Sequence, residues 1–137
     1  ILLDCPPALN IITLNALAAS DGALVPLQAE FYALEGLSQL LKTIKSISLT
    51  VNSRLKLSGV VLTMFDKRNN LSVQVEEDVR GYLGEDVFLT RIPRNIRLSE
   101  APSHGLPALI YDHKCTGSKA YIDLAREFLE REGWKFK

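Results

Sequence analysis

Ile1-Leu2-Leu3-Asp4-Cys5-Pro6-Pro7 reads as the end of a strand buried on both faces, then an acid, then an enforced turn. Neither proline donates a backbone N–H, and Pro6 pushes Cys5 out of the helical region, so the chain must bend sharply beside the Asp4 carboxylate. An acid at the carboxyl end of a parallel strand stands where such sheets meet their ligands, and it can hold a metal ion through water. Its plainer role is to cap the next helix, and these seven residues leave both open.

Outward from that stretch the chain alternates. Leu9 to Ala19 gives a short helix, and Ala23-Leu24-Val25-Pro26-Leu27 a strand with its proline near the exit. After a polar-aromatic loop at 28–32, Leu34, Leu37, Leu41, Ile44 and Ile47 step by three or four and predict an amphipathic helix ending around Asn52. Lys56 to Met64 (KLSGVVLTM) predicts a second strand, covered on both sides at Val60-Val61-Leu62. The loop Phe65 to Asn70 leads to a helix with Leu71, Val75, Val79 and Leu83 on one stripe, closed by Gly84. Val87 to Ile92 is the next strand, and 93–98 is a polar loop. Ser99 to Pro102 is at most a helical turn, Leu106 to Tyr111 is short and β-like, and Thr116 or Ser118 caps a last helix. That helix carries the four-spaced pairs Lys119/Asp123, Arg126/Glu130 and Glu127/Arg131.

Strands and helices alternating every ~25 residues mean βαβ units. The expected fold class is therefore α/β, a mostly parallel sheet with flanking helices, as one domain over 1–132 with a tail at 133–137. Asp4 and the loops 28–32, 65–70 and 93–98 would emerge together at the carboxyl edge, where parallel sheets carry their sites.

Composition narrows the function classes. Sixteen basic and sixteen acidic residues cancel, so no global field draws the chain to polyanions and any such contact must come from a local cluster. Cys5 and Cys115 lack metal-ligand spacing and read as reduced thiols of a cytoplasmic protein. No apolar run reaches the ~18 residues of a spanning helix. A chain that opens inside a buried strand, without an initiator Met, is expected to be the later part of something longer.

The segments Leu3-Asp4-Cys5-Pro6-Pro7, Val25-Pro26-Leu27-Gln28, Tyr32-Ala33-Leu34-Glu35-Gly36-Leu37, Leu62-Thr63-Met64-Phe65-Asp66 and Ile92 to Gly105 (IPRNIRLSEAPSHG) stand in the order seen in ParA/Soj-type partitioning ATPases. The chain resembles that family over residues 1 to about 130. The resemblance implies a partial P-loop NTPase-like (Rossmann-like) domain from a protein that uses ATP/ADP and Mg²⁺. Such proteins form an ATP homodimer, bind non-specific DNA at the nucleoid and answer to a ParB/Spo0J-type partner. It makes Asp4 the Walker B acid, placing Mg²⁺ through a water. Within that frame we expect the loop at Pro93, Arg94 and Asn95, with Thr63 and Met64, to border the nucleotide base, and the resemblance makes Arg68 and Arg97 the DNA-binding arginines.

One departure is larger than any substitution. The family's KGGxGKT phosphate loop is missing, and no G-x-x-x-x-G-K-[ST] occurs in the 137 residues. The triphosphate then has no cradle of backbone amides and lysine. The chain is expected to be a carboxyl-terminal portion that neither binds MgATP nor hydrolyses it alone. Two other readings stay open: a non-catalytic DNA-binding or adaptor remnant of the fold, and a relative that positions another cargo.

The bland readings are specific. Arginines in loops are commonly solvated or carboxylate-paired, and the resemblance lifts Arg68 and Arg97, but not Arg91, out of that expectation. His104 and His113 have no acid or nucleophile at motif spacing, so loop hydrogen bonds are expected of them. Glu30 and Glu35 fit either a switch or dimer contact or simple capping.

Overall fold

The computed structural model describes residues 1–134. Three parallel strands form its sheet: β1 (Gly22–Gln28), β2 (Lys56–Phe65) and β3 (Val87–Pro93), in the order β1-β2-β3. Helix α1 (Ile11–Ala19) precedes β1, α2 (Ala33–Thr50) joins β1 to β2, and α3 (Asn70–Leu83) joins β2 to β3. After β3 come two short helices, α4 (Ile96–Glu100) and α5 (Ala108–Tyr111), and the long α6 (Thr116–Arg131). The expected α/β class with a parallel sheet is what folds, because each parallel step needs a helical crossover.

The sheet has a core on each face. Val25, Leu27, Val60, Leu62 and Phe65 meet Leu37, Ile44 and Ile47 of α2 and Val75 and Val79 of α3. On the other face Val61, Phe88 and Ile92 pack against Leu124 of α6, with Phe128 stacked on Phe88 at 6.4 Å. Alternate residues of β2 thus serve opposite cores, which is why its centre reads as an unbroken apolar run. Asn52, buried beyond α2, donates from Nδ2 to Leu17 O (3.3 Å) and Ser20 O (2.6 Å), tying the end of α1 to the sheet.

Three irregularities shape the ladders. Leu24 pairs with Gly59 where Ala23 pairs with Leu57, so β2 carries one extra residue there. Gly59 takes φ +148, and a Cβ on it would lie 2.5 Å from the Phe88 ring. Between the pairs Val60/Val87 and Leu62/Arg91, β3 advances four residues (91 − 87) while β2 advances two (62 − 60). The amides this bulge frees, Leu89 N and Thr90 N, donate to the Glu127 carboxylate at 2.7 and 2.8 Å. Between Leu62/Arg91 and Phe65/Pro93 the surplus residue is on β2, and Met64 absorbs it in the left-handed region at φ +54.

Several local expectations are corrected. Ile1–Leu3 form no strand: Ile1 and Leu2 are fully exposed, and no ladder partner meets their backbone among the described residues. A strand needs neighbours for its N–H and C=O groups, and three residues without them cannot hold an extended ladder. The segment 106–111 is not β-like; Pro107 starts α5, with Ile110 N and Tyr111 N both returning to Pro107 O at 2.9 Å. The turn expected at Ser99 begins earlier, at Ile96, because Asn95 Oδ1 caps it through Arg97 N at 2.9 Å. Cys115, not Thr116 or Ser118, caps α6, its Sγ accepting from Ser118 N at 3.3 Å.

Of the pairs expected on α6, Glu127–Arg131 forms at 2.8 Å, while Arg126 reaches Asp123 three residues back at 3.9 Å. Lys119/Asp123 and Arg126/Glu130 are not ion pairs among the described residues, as solvated side chains gain little by closing. Gly133 and Trp134 follow α6, and the rest of the expected tail, 135–137, lies outside the described residues.

Candidate functional site

At the carboxyl edge of the sheet a cleft of about 210 Å³ is lined by Ala29, Glu30, Met64, Asp66, Asn69, Leu71, Ser72 and Arg94. Backbone bonds hold its walls together. Ala29 N donates to Thr63 O (3.3 Å), Arg94 N to Phe65 O (3.2 Å), and the buried Ser72 hydroxyl to Ala29 O (3.3 Å). The loops after β1, β2 and β3 are therefore fastened to one another. The bulge at Met64 turns β2 out of the ladder at the rim, and strain of this kind, worth about 1–3 kcal/mol, gathers at functional edges.

Asp66 is the most perturbed acid of the cleft. Its Oδ1 accepts from Arg68 N (3.0 Å) and Nε (3.1 Å), and its Oδ2 accepts from Arg68 Nη2 (2.9 Å). The Arg68 side chain, then its backbone amide, hold the carboxyl down to about 2, and the Arg94 charge pushes the same way. Behind the cleft, buried Glu76 of α3 accepts from Arg80 Nε (2.7 Å) and Arg91 Nε (2.6 Å), and Arg91 lies over the Phe65 ring at 5.3 Å. Arg91 is thus a structural residue, as its reading in the sequence had it.

The other residues named from the sequence fall into three places. Met64 and Arg94 line the cleft, and Thr63 and Pro93 sit in the strands beside it, opposite Gln28 and Phe65. Asn95 is spent on structure, capping α4 and donating from Nδ2 to Thr116 Oγ1 at 2.9 Å. Asp4 is exposed on the irregular segment before α1 and does not line the cleft. Arg68 is 90% exposed in its pair with Asp66. Arg97 donates from Nη1 to Glu100 Oε2 (2.9 Å), with its Nε 3.7 Å from Asp112 Oδ2. Both arginines reach solvent, yet each carries a carboxylate on its guanidinium.

The loop hydrogen bonds expected of the histidines do not form among the described residues: His104 instead stacks on Tyr111 at 4.8 Å, and His113 is exposed to water. Glu30 lines the cleft and Glu35 lies in the first turn of α2. Reading the sequence missed Asp66, Asn69 and Ser72 as cleft residues. The signal was present in Asp66-Lys67-Arg68-Asn69, where an acid two residues before an arginine, just after a strand, favours an Asx turn with the guanidinium folded back.

Small-molecule pockets run to about 300–1,000 Å³, and this cleft lies below that range. Among the described residues no group of three or more His, Cys, Asp or Glu side chains gathers to hold a metal ion. Nor is any helix of the described residues long and apolar enough to cross a membrane.

A family model described as an AAA domain matches residues 1–57. The chromosome partitioning protein ParA of Caulobacter vibrioides is 57% identical over 132 residues, covering 96% of this chain and 49% of its own length. The sporulation initiation inhibitor protein Soj of Bacillus subtilis is 53% identical over 127 residues, covering 93% and 50%. Among solved structures, cobyrinic acid a,c-diamide synthase from Mycobacterium smegmatis with bound ADP and magnesium aligns at a TM-score of 0.74 and 33% identity, over 95% of this chain and 46% of that one. The cell division ATPase MinD of Pyrococcus furiosus aligns at 0.73 and 26%, over 93% and 50%. The chain spans about half the length of the curated relatives it matches. Its fold is a partial, Rossmann-like P-loop NTPase fold.

Proposed function

Because the chain belongs to the ParA/Soj family of chromosome partitioning proteins, about half of whose length it spans, we propose that it is the carboxyl-terminal part of a partitioning ATPase. The whole protein would use ATP and Mg²⁺, dimerise, grip DNA without regard to sequence and answer to a ParB/Spo0J-type partner. The observation that carries this reading is the cleft at the carboxyl edge of β1 and β2, with Met64 and Arg94 in its lining. Thr63, Met64, Pro93, Arg94 and Asn95 would border the base end of the nucleotide. Asp4 would place Mg²⁺ through a water once a phosphate-binding wall stood beside it. Arg68, on the loop that leaves β2, and Arg97, in α4 just after β3, are exposed and would meet DNA phosphates.

Phosphate contacts position a protein on DNA without reading bases. The test is fluorescence anisotropy of two labelled duplexes of unrelated sequence with this chain at low ionic strength. Both should bind equally, with log K falling against log salt at a slope of about −2 for two phosphates, and Arg97→Ala should remove about one unit of that slope. Unchanged affinity and slope in Arg97→Ala would remove the DNA edge. One observation favours a second reading, a relative that positions another cargo: both arginines are already paired with carboxylates.

A further inference from the structure

Five arginines near β2 and β3 fall into two kinds, while Arg54 and Arg126, away from the cleft, pair loosely with Asp21 and Asp123 at 3.4 and 3.9 Å. Arg80, Arg91 and Arg131 are built into the fold by groups other than acids alone. Arg80 donates to Phe88 O at 2.8 Å, Arg131 to Glu85 O and Val87 O at 2.9 and 3.0 Å, and Arg91 and Arg131 lie over the rings of Phe65 and Phe88. Arg68 and Arg97 have no backbone carbonyl partner and lie over no ring among the described residues; carboxylates hold them, with the Tyr111 hydroxyl beside Arg97.

In those two pairs it is the acid that is fixed. Asp66 is pinned by Arg68 N at 3.0 Å, a backbone contact that stays when the guanidinium leaves. Glu100 accepts from Tyr111 OH at 3.2 Å, and that ring is stacked on His104. Asp112, the second acid near Arg97, accepts from Lys114 N (3.0 Å) and Cys115 N (3.1 Å). The Arg68 fork meets Asp66 through Nε and Nη2, one nitrogen to each oxygen, the arrangement in which an arginine also takes a phosphate. Each guanidinium is exposed, so it can swing from its acid to a phosphate by side-chain rotation with the backbone in place.

We propose that Asp66 and Glu100 are internal stand-ins for phosphate: they hold Arg68 and Arg97 until the backbone of a nucleic acid duplex displaces them, and they set the affinity of that edge. The inference rests on the reading of Arg68 and Arg97 as phosphate ligands. It makes the edge electrically quiet until contact, in keeping with a chain of no net charge.

The experiment measures the affinity of this chain for a labelled duplex, at low ionic strength, in Asp66→Asn and Glu100→Gln. Both substitutions keep an acceptor for Arg68 N and Tyr111 OH while discharging the clamp. Each should tighten binding about two- to fivefold, the range of an exposed ion pair. Glu77→Gln, at an exposed acid of α3 outside the ion pairs among the described residues, should change it less, and the gain from Asp66→Asn should vanish in an Arg68→Ala background. Equal tightening by Glu77→Gln, or a gain that survives Arg68→Ala, would overturn the inference. If the arginine variants weaken binding while neither acid variant tightens it, the stand-in role falls and the phosphate-ligand reading stands. If Arg68→Ala and Arg97→Ala leave binding unchanged, both fall. Should Asp66→Asn fail to fold, Glu100→Gln on α4 carries the same comparison.

Discussion

At Glu76 two opposed effects meet: burial raises the carboxyl pKa, and hydrogen bonds from Arg80 and Arg91 outweigh it, leaving the group below its ordinary value. A carboxyl whose folded pKa is depressed contributes stability that is present above the unfolded value and lost as pH falls through the folded one. Glu76→Gln should therefore cost about 1–3 kcal/mol at neutral pH, discounted for the partly exposed Arg91. The gap to the parent should close in acid; urea titrations across the carboxylate range check both statements, and a pH-independent gap would contradict them. Asp66 makes a companion case in solvent. An NMR titration of its side chain should give a midpoint of about 2, and a midpoint near 3.8 would mean that the Arg68 clamp is open. Sequence made Arg68 visible as an exposed basic residue but not its partner, because an Asx turn depends on backbone angles that the residue types only favour.

Among the elements, β3 depends on a residue of another element. Glu127 accepts the two amides freed by the bulge at Leu89 and Thr90, and it also accepts from Arg131. Burial raises the Glu127 carboxyl, and hydrogen bonds from the Thr90 side chain, the two amides and Arg131 bring it below the ordinary value. Glu127→Ala should take the acceptor from both amides, cost about 0.5–1.5 kcal/mol because water can reach the exposed Leu89 amide, and speed hydrogen exchange at Leu89 and Thr90 over the rest of β3. Unaltered exchange there would show that the carboxylate is dispensable.

A second close contact joins α6 to α4, the helix carrying Arg97. A Cβ on Gly117 would lie 2.6 Å from Leu98 Cγ, so Gly117→Ala should displace α4 and lower stability by about 1–3 kcal/mol. A thermal melt equal to the parent's would contradict that packing. The long elements were legible because their apolar periods repeat over several turns. The bulges were not, since a register shift is a relation between two strands and neither strand records it alone. Segment 106–111 misled for a related reason: a short apolar run carries no period, and Pro107 decided its form.

Taken whole, the molecule leaves apolar surface uncovered on one side. α1 is apolar nearly all round yet buries only Thr13, and Ile11 and Ile12 are exposed together with Ile1 and Leu2. A helix of that composition is built to be enclosed, and exposed apolar patches drive association. Sedimentation velocity should show self-association that rises with concentration; a strict monomer at high concentration would contradict it. The α/β class and the carboxyl-edge location of the cleft were both legible in the order of the segments. The place of Asp4 was not, because a strand at Ile1–Leu3 requires neighbours for its backbone that the described residues do not supply.

We propose that this chain provides the base-side wall of a nucleotide cleft without a wall that cradles phosphates. Isothermal titration of MgATP into the 137-residue chain is the decisive experiment. Heats of dilution with no saturable binding are expected, and a one-site isotherm in the micromolar range would refute the proposal.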